Sequence, residues 1–415
     1  MKENIKVALI GLGQRGIQLL EPLLRMSDVS VIGVCDAYED RTNNAAGLTE
    51  KARGNTPFQT QNYKEILNMQ EIDAVVISTP WEYHIEIAIE AMKTGVFTAM
   101  EVGGTYNLQE CFDLVTAYEE TKTPFFFLEN CCYGRRELMC LNMARAGEFG
   151  EIVHCDGAYC HDLRHEVSFG KENRHYRLPH YIHHNCENYP THDLGPIAKI
   201  LGINRGNRML RLVSMASKAR GLSQYICDNK SEDETLLNTT FNQGDVVKTL
   251  ITCENGETIA LTLDTTLPRI YSRNFNVRGT KGMYQEDGDY VFLEKDQKDR
   301  DIAELDLNPQ LLWKNADKYG ETFDNNLWKN KSKGMLKSGH GGMDYLVLRS
   351  MVNAAKGKTY PAIDVYDAAA WMSITALSEQ SIANGNQPVE IPDFTNGKYK
   401  NRTEKSTGKY ALDER

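Results

Sequence analysis

A glycine-rich loop between a strand pattern and a helix pattern restricts the fold more than any other feature of this chain. The apolar run Ile5–Ile10 leads into Gly11, Gly13 and Gly16, which are spaced G-x-G-x-x-G. Such glycines permit a tight turn and the close approach of a pyrophosphate, while the helix N-terminus adds N–H donors and the positive end of its dipole. The segment predicts the first βα unit of a dinucleotide-binding domain.

Beyond this loop, short apolar runs alternate with helical patterns to about residue 128. In the helical stretches His84–Lys93 and Gln109–Glu120, apolar residues recur every three or four positions. This alternation predicts βαβ units with right-handed crossovers, and hence an α/β chain that begins with a Rossmann domain, a doubly wound parallel sheet. The predicted strands are Ile5–Ile10, Val29–Val34, Ala74–Ser78, Phe97–Met100 and Phe125–Leu128.

Asp36 ends the second predicted strand, twenty residues after Gly16. A carboxylate at this place holds the 2′-hydroxyl of the adenosine ribose and repels the 2′-phosphate of NADP. A lone G-x-G-x-x-G is weak evidence, but here strand, loop, helix and acid occur in register. The sequence therefore predicts NAD as the cofactor.

After residue 150 the sequence pattern changes to longer strands in which apolar and polar residues alternate. Val246–Cys253 and Thr258–Asp264 flank an Asn-Gly pair, which is a strong hairpin signal. We therefore expect an NAD-binding Rossmann domain at residues 1–130. An α+β substrate-binding domain with a large, mainly antiparallel sheet is expected at residues 131–415, with C-terminal helices that pack back on the first domain.

Two helices are predicted in the second half, one following Pro196 and one over Val365–Ala383. The stretch Glu286–Ser338 is charged and contains Trp313 and Trp328. It predicts a long excursion from the sheet.

Composition restricts the partners and the compartment. The 415 residues carry a net charge of −10, which disfavours nucleic acid and anionic lipid. No apolar run reaches the roughly 18 residues of a membrane span, so no membrane insertion is expected. Ten cysteines form no CxxC pair, which indicates buried, reduced thiols. Because Met1–Ile10 leads straight into a strand without a signal-peptide pattern, we expect a cytoplasmic protein.

Seven of the ten histidines lie between residues 161 and 192. A metal site and a histidine-rich surface loop both explain this density, but the chain has neither an HExxH motif nor a paired-cysteine framework. We expect no bound metal. The seven are His161, His165, His175, His180, His183, His184 and His192.

The segment Tyr189–His192 is the most specific candidate for a catalytic segment. Its tyrosine and histidine lie three positions apart near a predicted helix start, so both side chains can face one cleft. A histidine there can accept a hydroxyl proton while hydride leaves the carbon. Spacing alone leaves open the alternative that the histidine serves only in packing.

Longer strings extend beyond these motifs: Ser78–His84, Leu128–Tyr133, Ala158–Arg164, Tyr189–His192, Leu267–Tyr271 and Gly339–Asp344. With the glycine loop and the second-domain histidine, they make the chain resemble the glucose-fructose oxidoreductase and inositol dehydrogenase superfamily. More closely, the chain resembles glycoside hydrolase family 109, the NAD-dependent α-N-acetylgalactosaminidases, over nearly its whole length.

The resemblance implies three groups of site residues. Catalytic roles fall to Glu129, Tyr159, Tyr189 and His192. Sugar contacts fall to Tyr159, His161, Arg177, Tyr189, His192 and Tyr271. Together with the glycine loop, cofactor contacts fall to Gly11, Gly13, Gln14, Arg15, Gly16, Asp36, Trp81, His84, Glu101, Val102, Asn130 and Tyr189. For the tyrosines a core aromatic role is the alternative, and for Glu129 it is a carboxylate satisfied by backbone donors.

The chain departs from these relatives in two places. Dehydrogenases of the superfamily usually carry Glu-Lys-Pro after the fifth strand, where the lysine polarises the substrate hydroxyl. Here the string is Glu101-Val102-Gly103-Gly104, which disfavours a plain dehydrogenase and is similar to the glycosidase family. The run His175–His184 is not part of that family's pattern, so the sugar and its anomer stay open.

The resemblance implies glycoside cleavage by transient oxidation instead of a carboxylate pair. NAD⁺ oxidises the C3 hydroxyl, a base removes the acidified C2 proton, the aglycone leaves by elimination, water adds and hydride returns. His192 is the expected base at C3, and Tyr159 or Tyr189 is the expected base at C2. Arg177 is expected to hold the substrate, and neighbouring arginine and histidine to lower the phenol pKa.

Two other functions remain to be separated from this one. The first is an NAD-dependent sugar or polyol dehydrogenase or keto-sugar oxidoreductase with net hydride exchange. The second is a non-catalytic NAD- and sugar-binding protein, because a fold does not fix a function. In either case we expect a carbohydrate ligand and a homo-oligomer.

Overall fold

The computed structural model describes residues 2–297, 305 and 307–413. Its first sheet is built from β1 (Ile5–Ile10), β2 (Val29–Cys35), β3 (Phe58–Thr60), β4 (Ala74–Ile77), β5 (Phe97–Met100) and β6 (Phe125–Phe127). All six strands run parallel in the order β3-β2-β1-β4-β5-β6. The strand order reverses between β1 and β4, and ligands bind at the carboxyl ends of the strands at such a point.

The predicted strands of this sheet are confirmed to within one residue at each end, but β3 was missed. That strand is short and mostly exposed, so it lacks the apolar run that marks the others. The helix predicted from His84 begins earlier, at Trp81, because Pro80 takes the N-cap position and needs no N–H there. The helices are α1 (Gln14–Arg25), α2 (Glu39–Arg53), α3 (Tyr63–Leu67), α4 (Trp81–Lys93) and α5 (Leu108–Thr121).

The second sheet has eight strands: β7 (Ile152–Cys160), β8 (Met209–Ala216), β9 (Val246–Cys253), β10 (Thr258–Asp264), β11 (Asn276–Gly279), β12 (Gly282–Gln285), β13 (Tyr290–Leu293) and β14 (Val389–Glu390). Their order is β13-β12-β11-β7-β10-β9-β8-β14. Among the described strands, β7 and β10 pair in parallel and the other neighbours are antiparallel. The mainly antiparallel sheet and the β9–β10 hairpin are therefore confirmed.

Helices and short 3-10 turns surround the second sheet. Within the described residues, no helix is both long and apolar enough to cross a membrane. The helices are α6 (Arg135–Arg145), α7 (Arg164–Ser168), α8 (Arg177–His183), α9 (Thr191–Ile200), α10 (Gly221–Asn229), α11 (Glu234–Leu237), α12 (Ala316–Phe323), α13 (Asn326–Lys329), α14 (Lys333–Leu336), α15 (Met343–Ala355) and α16 (Val365–Ala383). The turns are Asn130–Tyr133, Glu294–Gln297, Pro309–Leu312, His340–Gly342 and Lys398–Asn401.

The prediction of a helix following Pro196 is wrong in its start, because α9 begins at Thr191 and runs through this proline. Proline lacks the N–H of one helical bond but does not end the helix here. The helix predicted over Val365–Ala383 is confirmed. It begins there because the Asp364 side chain accepts bonds from the N–H groups of Tyr366 and Asp367.

The expected excursion over Glu286–Ser338 contains a strand, β13, and the short helices α12 to α14. Residues 298–304 and 306 of this stretch lie outside the described residues. The C-terminal helices return to the first sheet, where α15 packs on α1, and α16 packs on α5 and β6. Since α16 also packs on β8 and β14 of the second sheet, a domain division at residue 130 stays a prediction.

Candidate active site

The glycine loop joins β1 to α1 at the carboxyl end of the first sheet. Gly11 has a φ of +93°, and a Cβ on it would lie 2.5 Å from the Ser78 carbonyl carbon. A Cβ on Gly16 would lie 2.1 Å from the Gly11 carbonyl oxygen, whereas one on Gly13 would meet Arg41 at an ordinary 3.5 Å. The first and third glycines are thus required by close packing, and the middle one leaves room for a ligand.

Backbone donors hold the Asp36 carboxylate at the end of β2. Leu12 N donates to Oδ2 at 2.7 Å, and Tyr38 N donates to Oδ1 at 3.0 Å. The side chain is largely buried, and the nearest guanidinium nitrogen of Arg41 lies 3.7 Å from it. A carboxylate held this way still has lone pairs for a ribose hydroxyl.

Arg15, the second residue of α1, joins three segments. Its Nε donates to Glu101 Oε1 at 2.8 Å, and its two terminal nitrogens donate to Asp344 at 2.7 and 3.0 Å. Asn130 Nδ2 donates to the same Asp344 carboxylate at 2.7 Å. Burial alone would lower the pKa of Arg15, but the two carboxylates outweigh it and raise that pKa. The cluster fixes Glu101 and Asn130 beyond the ends of β5 and β6.

Trp81 accounts for the absence of the proline of the dehydrogenase Glu-Lys-Pro string. A Cβ on Gly103 would lie 2.5 Å from Trp81 Cδ1, so the ring leaves no room for a proline there. Val102, at the lysine position, is buried. His84 contacts the carbonyl oxygen of Thr79 through Nε2 at 2.7 Å, and burial lowers its pKa to about 4. The neutral imidazole therefore supports the loop ahead of Trp81.

Glu129 and His192 form a buried dyad. His192 Nδ1 lies 2.8 Å from Glu129 Oε1, and Glu129 also accepts a bond from Cys131 N at 2.9 Å. Burial would raise the pKa of Glu129, but His192 outweighs it and holds that pKa below its usual range. Because an ionised carboxylate only accepts hydrogen bonds, the Nδ1 that faces Glu129 carries a proton.

Two tyrosine rings pack on His192, and Trp81 packs on one of them. The ring centroids of Tyr159 and Tyr189 are 4.3 Å apart, and Tyr189 meets the His192 imidazole edge-on at 4.8 Å. Trp81 lies 5.4 Å from Tyr189 on its other side. Residues from β7, α4 and the start of α9 are thus brought together, as the resemblance implied.

Arg177, the first residue of α8, places its guanidinium over these rings. Its Cζ lies 4.9 Å from the Trp81 centroid and 5.0 Å from the Tyr189 centroid. Its Nε lies 2.9 Å from Glu166, and its Nη1 is buried without a hydrogen-bond partner among the described residues. A fixed positive charge with a free donor faces the ring cluster.

The expectation that neighbouring cations lower the phenol pKa is wrong in this structure. Burial raises the pKa of Tyr159 and of Tyr189 above the ordinary value, and the opposing effect of Arg177 is smaller. The Tyr159 hydroxyl instead lies 3.4 Å from His161 Nδ1. Burial lowers the pKa of His161, so a neutral imidazole is placed to accept the phenol proton. Tyr271 meets His161 edge-on at 5.4 Å.

Residues 161–184, here called the bridging segment, reach from the second sheet to the first domain. Near Asp36, Arg174 donates to both oxygens of Asp40 at 2.9 and 2.7 Å and lies 4.5 Å from the Tyr38 centroid. At the other end, His180 stacks on Trp81 at 5.5 Å. The segment therefore spans both ends of the cofactor crevice.

Most histidines of the bridging segment do not lie on a surface loop. His165 and His183 are exposed, but the others are at least half-buried in ring stacks or next to carboxylates. The closest stack joins His184 to Tyr106 at 3.7 Å. Of these histidines, His180 and His184 attach the segment to residues that follow β4 and β5, through Trp81 and Tyr106.

One group of potential metal ligands was not foreseen. Glu129, Cys131 and His192 each bring a ligand atom within 4.8 Å of the others. In this structure His192 Nδ1 already contacts Glu129, so the geometry is that of a hydrogen-bonded dyad. Of the seven clustered histidines, His192 alone belongs to such a group within the described residues.

Buried polar atoms without partners indicate where a cofactor fits. Within the described residues, Glu101 Oε2, Asn130 Oδ1 and Arg177 Nη1 are buried and make no hydrogen bond. Such atoms are costly unless a ligand satisfies them. They lie between the glycine loop and the ring cluster, which suits a dinucleotide that extends from Asp36 towards His192.

Comparison with known proteins decides the family. The family description "Glycosyl hydrolase 109, C-terminal domain" matches residues 133–401, and the NAD-binding Rossmann fold of an oxidoreductase family matches residues 5–128. This chain belongs to glycosyl hydrolase family 109. A family 109 protein of Stenotrophomonas maltophilia is 39% identical over 96% of this chain and 91% of its own length. The α-N-acetylgalactosaminidase of Tannerella forsythia is 35% identical over 96% and 88%.

Solved structures confirm the fold. A levoglucosan dehydrogenase in complex with NADH and levoglucosan aligns with a TM-score of 0.69 at 19% identity, covering 94% of this chain and all of that one. A myo-inositol 2-dehydrogenase from Lactobacillus plantarum aligns with a TM-score of 0.64 at 15% identity, with the same coverage. The family 109 enzyme is thus an NAD-dependent glycosidase on a dehydrogenase fold.

Sequence reasoning missed two side chains of the site. Asp344 links Arg15 to Asn130, and it lies in the string Gly339–Asp344 that the resemblance had singled out. Glu166, the partner of Arg177, stands in the bridging segment, where no motif marks it.

Proposed function

We propose that this enzyme cleaves an α-N-acetylgalactosaminide or a related glycoside by transient oxidation at C3, elimination across C1 and C2, addition of water and re-reduction. The observation that carries the proposal is the Glu129–His192 dyad, which adjoins two buried phenols and a fixed guanidinium. The α-N-acetylgalactosaminidase names of relatives support the choice of sugar.

His192 acts as the base at C3. Because Glu129 holds the Nδ1 proton, the free Nε2 takes the proton of the C3 hydroxyl. Bound NAD⁺ would supply reversible hydride transfer at that carbon. Asp36, the glycine loop, Glu101 and Asn130 are the residues that would hold it.

Tyr159 is the better placed of the two candidate bases at C2. Its phenol pKa is raised, so it needs an acceptor for its own proton when it takes the proton from C2. His161, 3.4 Å away, is that acceptor. Tyr189 makes the ring contact that holds Tyr159 in place.

Arg177 replaces the lysine of the dehydrogenase Glu-Lys-Pro string as the cation that contacts the substrate oxygen. Its buried, unpartnered Nη1 can donate to the C3 oxygen, on which negative charge develops when C2 loses its proton. A cation from the second domain would thus replace one that the superfamily's dehydrogenases place after the fifth strand.

A panel of aryl glycosides with NAD⁺ tests the proposal. We expect release of the phenol, with no accumulation of NADH in the steady state. Accumulation of NADH without phenol would instead identify a dehydrogenase. Binding of NAD and sugar without either product would identify a non-catalytic protein. Enzyme stripped of its cofactor is the control and should release no phenol.

Two broader expectations accompany this function. The ten cysteines make no disulfide, and nine of them are buried, which supports a reducing, cytoplasmic compartment. On the second sheet, Val213, Leu250 and Ala260 stand in one cross-strand row, and Leu250 is well exposed. We propose that this face joins a homo-oligomer, which light scattering at micromolar concentration would test.

A further inference from the structure

A cavity of 320 Å³ opens between the N-terminus of α6, the end of β12, the residues just before β11 and β13, and the turn His340–Gly342. Its size falls in the range of small-molecule sites, about 300–1,000 Å³. The residues that line it differ from those assigned above to the chemistry. It therefore offers room for a part of the substrate that does not react.

The charges in the cavity wall are compensated. Arg136 donates to Asp289 at 2.7 Å, and Arg273 forms an ion pair with Glu137. Arginines that are already paired offer little to a phosphate or another anion, and a lipid chain would leave the charged groups of the wall without hydrogen-bond partners. A neutral molecule that both donates and accepts hydrogen bonds suits this wall.

Some polar groups in the wall remain available, and an aromatic ring accompanies them. Glu286 accepts one bond, from Phe275 N at 2.9 Å, which leaves further lone pairs on the carboxyl group. Arg273 Nε is buried without a hydrogen-bond partner among the described residues. Trp328 supplies an aromatic wall, and its Nε1 donates to the Tyr133 carbonyl at 2.9 Å.

The chain connects this cavity directly to the sugar end of the site. Ser272 pairs with Cys160 of β7 in both directions, at 3.0 and 3.1 Å, so the chain is extended there. Tyr271 and Arg273 flank Ser272, and residues two apart in an extended chain face the same side, roughly 7 Å apart. Tyr271 contacts His161, while Arg273 lines the cavity.

We propose that this cavity is an aglycone subsite and takes a second sugar ring, linked through oxygen to C1 of the sugar that undergoes oxidation. The assignment rests on the proposed glycosidase function. Hydroxyls of the second ring donate to Glu286 and accept from Arg273, and the apolar face of that ring packs on Trp328.

Two substrates with the same reacting sugar test the subsite. One is α-N-acetylgalactosaminyl fluoride, whose leaving group is a single atom. The other is the disaccharide in which a hexose replaces the fluorine as the leaving group. In Trp328→Ala, we expect kcat/KM for the disaccharide to fall about tenfold or more, mainly through KM, and that for the fluoride to change less than about twofold. Glu286→Gln should give a smaller loss with the same selectivity, and it tests the subsite if Trp328→Ala fails to fold.

The matched control is Trp313→Ala, which removes an exposed tryptophan of the same excursion that does not line the cavity. It should leave both substrates unaffected. Equal losses on the two substrates, or no loss on either, would overturn the subsite. A wild-type enzyme that leaves both substrates intact would instead overturn the proposed cleavage of α-N-acetylgalactosaminides, so the two failures are distinguishable.

Discussion

At the cofactor end of the site, half of the expected contact residues come from one stretch, residues 11–36. At the sugar end they come from separate segments: Glu129 follows β6, Tyr159 is the last residue but one of β7, Arg177 begins α8, and His192 belongs to α9. The first set is held by local backbone bonds, such as that from Leu12 N to Asp36. The second set exists only once both sheets have packed together. A substitution at the sugar end can therefore change the reaction while the cofactor end still binds NAD.

The two ends also differ in whether their charged groups are paired. At the cofactor end, Arg15 is paired with Glu101 and Asp344, so its charge is compensated. At the sugar end, a buried donor of Arg177 has no hydrogen-bond partner among the described residues. Substitutions at the sugar end should therefore act on rate, and those at the cofactor end on NAD affinity.

The largest effect is expected from His192→Ala. Loss of the base at C3 should lower the rate on an aryl glycoside by more than about a hundredfold. NAD affinity, measured by fluorescence titration, should stay within about twofold of wild type, because Asp36 and the glycine loop are untouched. Glu129→Gln should lose less, since the amide oxygen still accepts from Nδ1 without the negative charge. Near-wild-type turnover in His192→Ala would remove the dyad from the mechanism.

Asp36→Ala should give the reverse pattern. The loss of a charged hydrogen bond to the ribose should weaken NAD binding by about ten- to a hundredfold. At saturating NAD⁺, the turnover number should change little. Discrimination against NADP should also fall, because the carboxylate that repels the 2′-phosphate is gone. Unchanged NAD affinity would show that Asp36 serves only its backbone donors.

A smaller effect is expected where the bridging segment meets the cofactor end. In Arg174→Gln, loss of the contact to Asp40 should speed NAD dissociation by about two- to fivefold in stopped-flow displacement. Because both side chains are partly exposed, the difference should shrink in high salt. Arg278→Gln, an exposed arginine on β11, is the control. Identical NAD release in Arg174→Gln and wild type would mean that the segment does not retain the cofactor.

The smallest effect concerns the pH dependence of stability through His84. Its folded pKa of about 4 lies below the ordinary 6.5, so the unfolded chain binds the proton first as pH falls. The stabilising effect of the neutral ring is present above pH 6.5 and is lost as pH falls towards 4. The free energy of unfolding in urea is measured at pH 7 and at pH 5. Between these pH values it should fall less in His84→Gln than in wild type, and in exposed His165→Gln it should fall as in wild type. An unaltered pH dependence in His84→Gln would contradict the burial argument.

The same contrast separates what the sequence predicts from what it does not. The first sheet and the glycine loop follow from alternating patterns in consecutive residues, and only the exposed β3 escaped them. The sugar end was recognised through long strings that resemble a family, but its electrostatics were not, because burial outweighs Arg177 in the pKa of Tyr159 and Tyr189. The contact between Arg15 and Asp344 joins residues 329 positions apart, and no local pattern encodes it.

Isotope exchange at C2 tests the central claim most directly. The enzyme and NAD⁺ are incubated with the cleaved aryl glycoside in deuterated water, and the released sugar is analysed by NMR. Elimination removes the C2 proton and replaces it from solvent, so the account predicts deuterium at C2 of the released sugar. Direct displacement at C1 never breaks the C2–H bond. Released sugar that still carries hydrogen at C2 would contradict the mechanism.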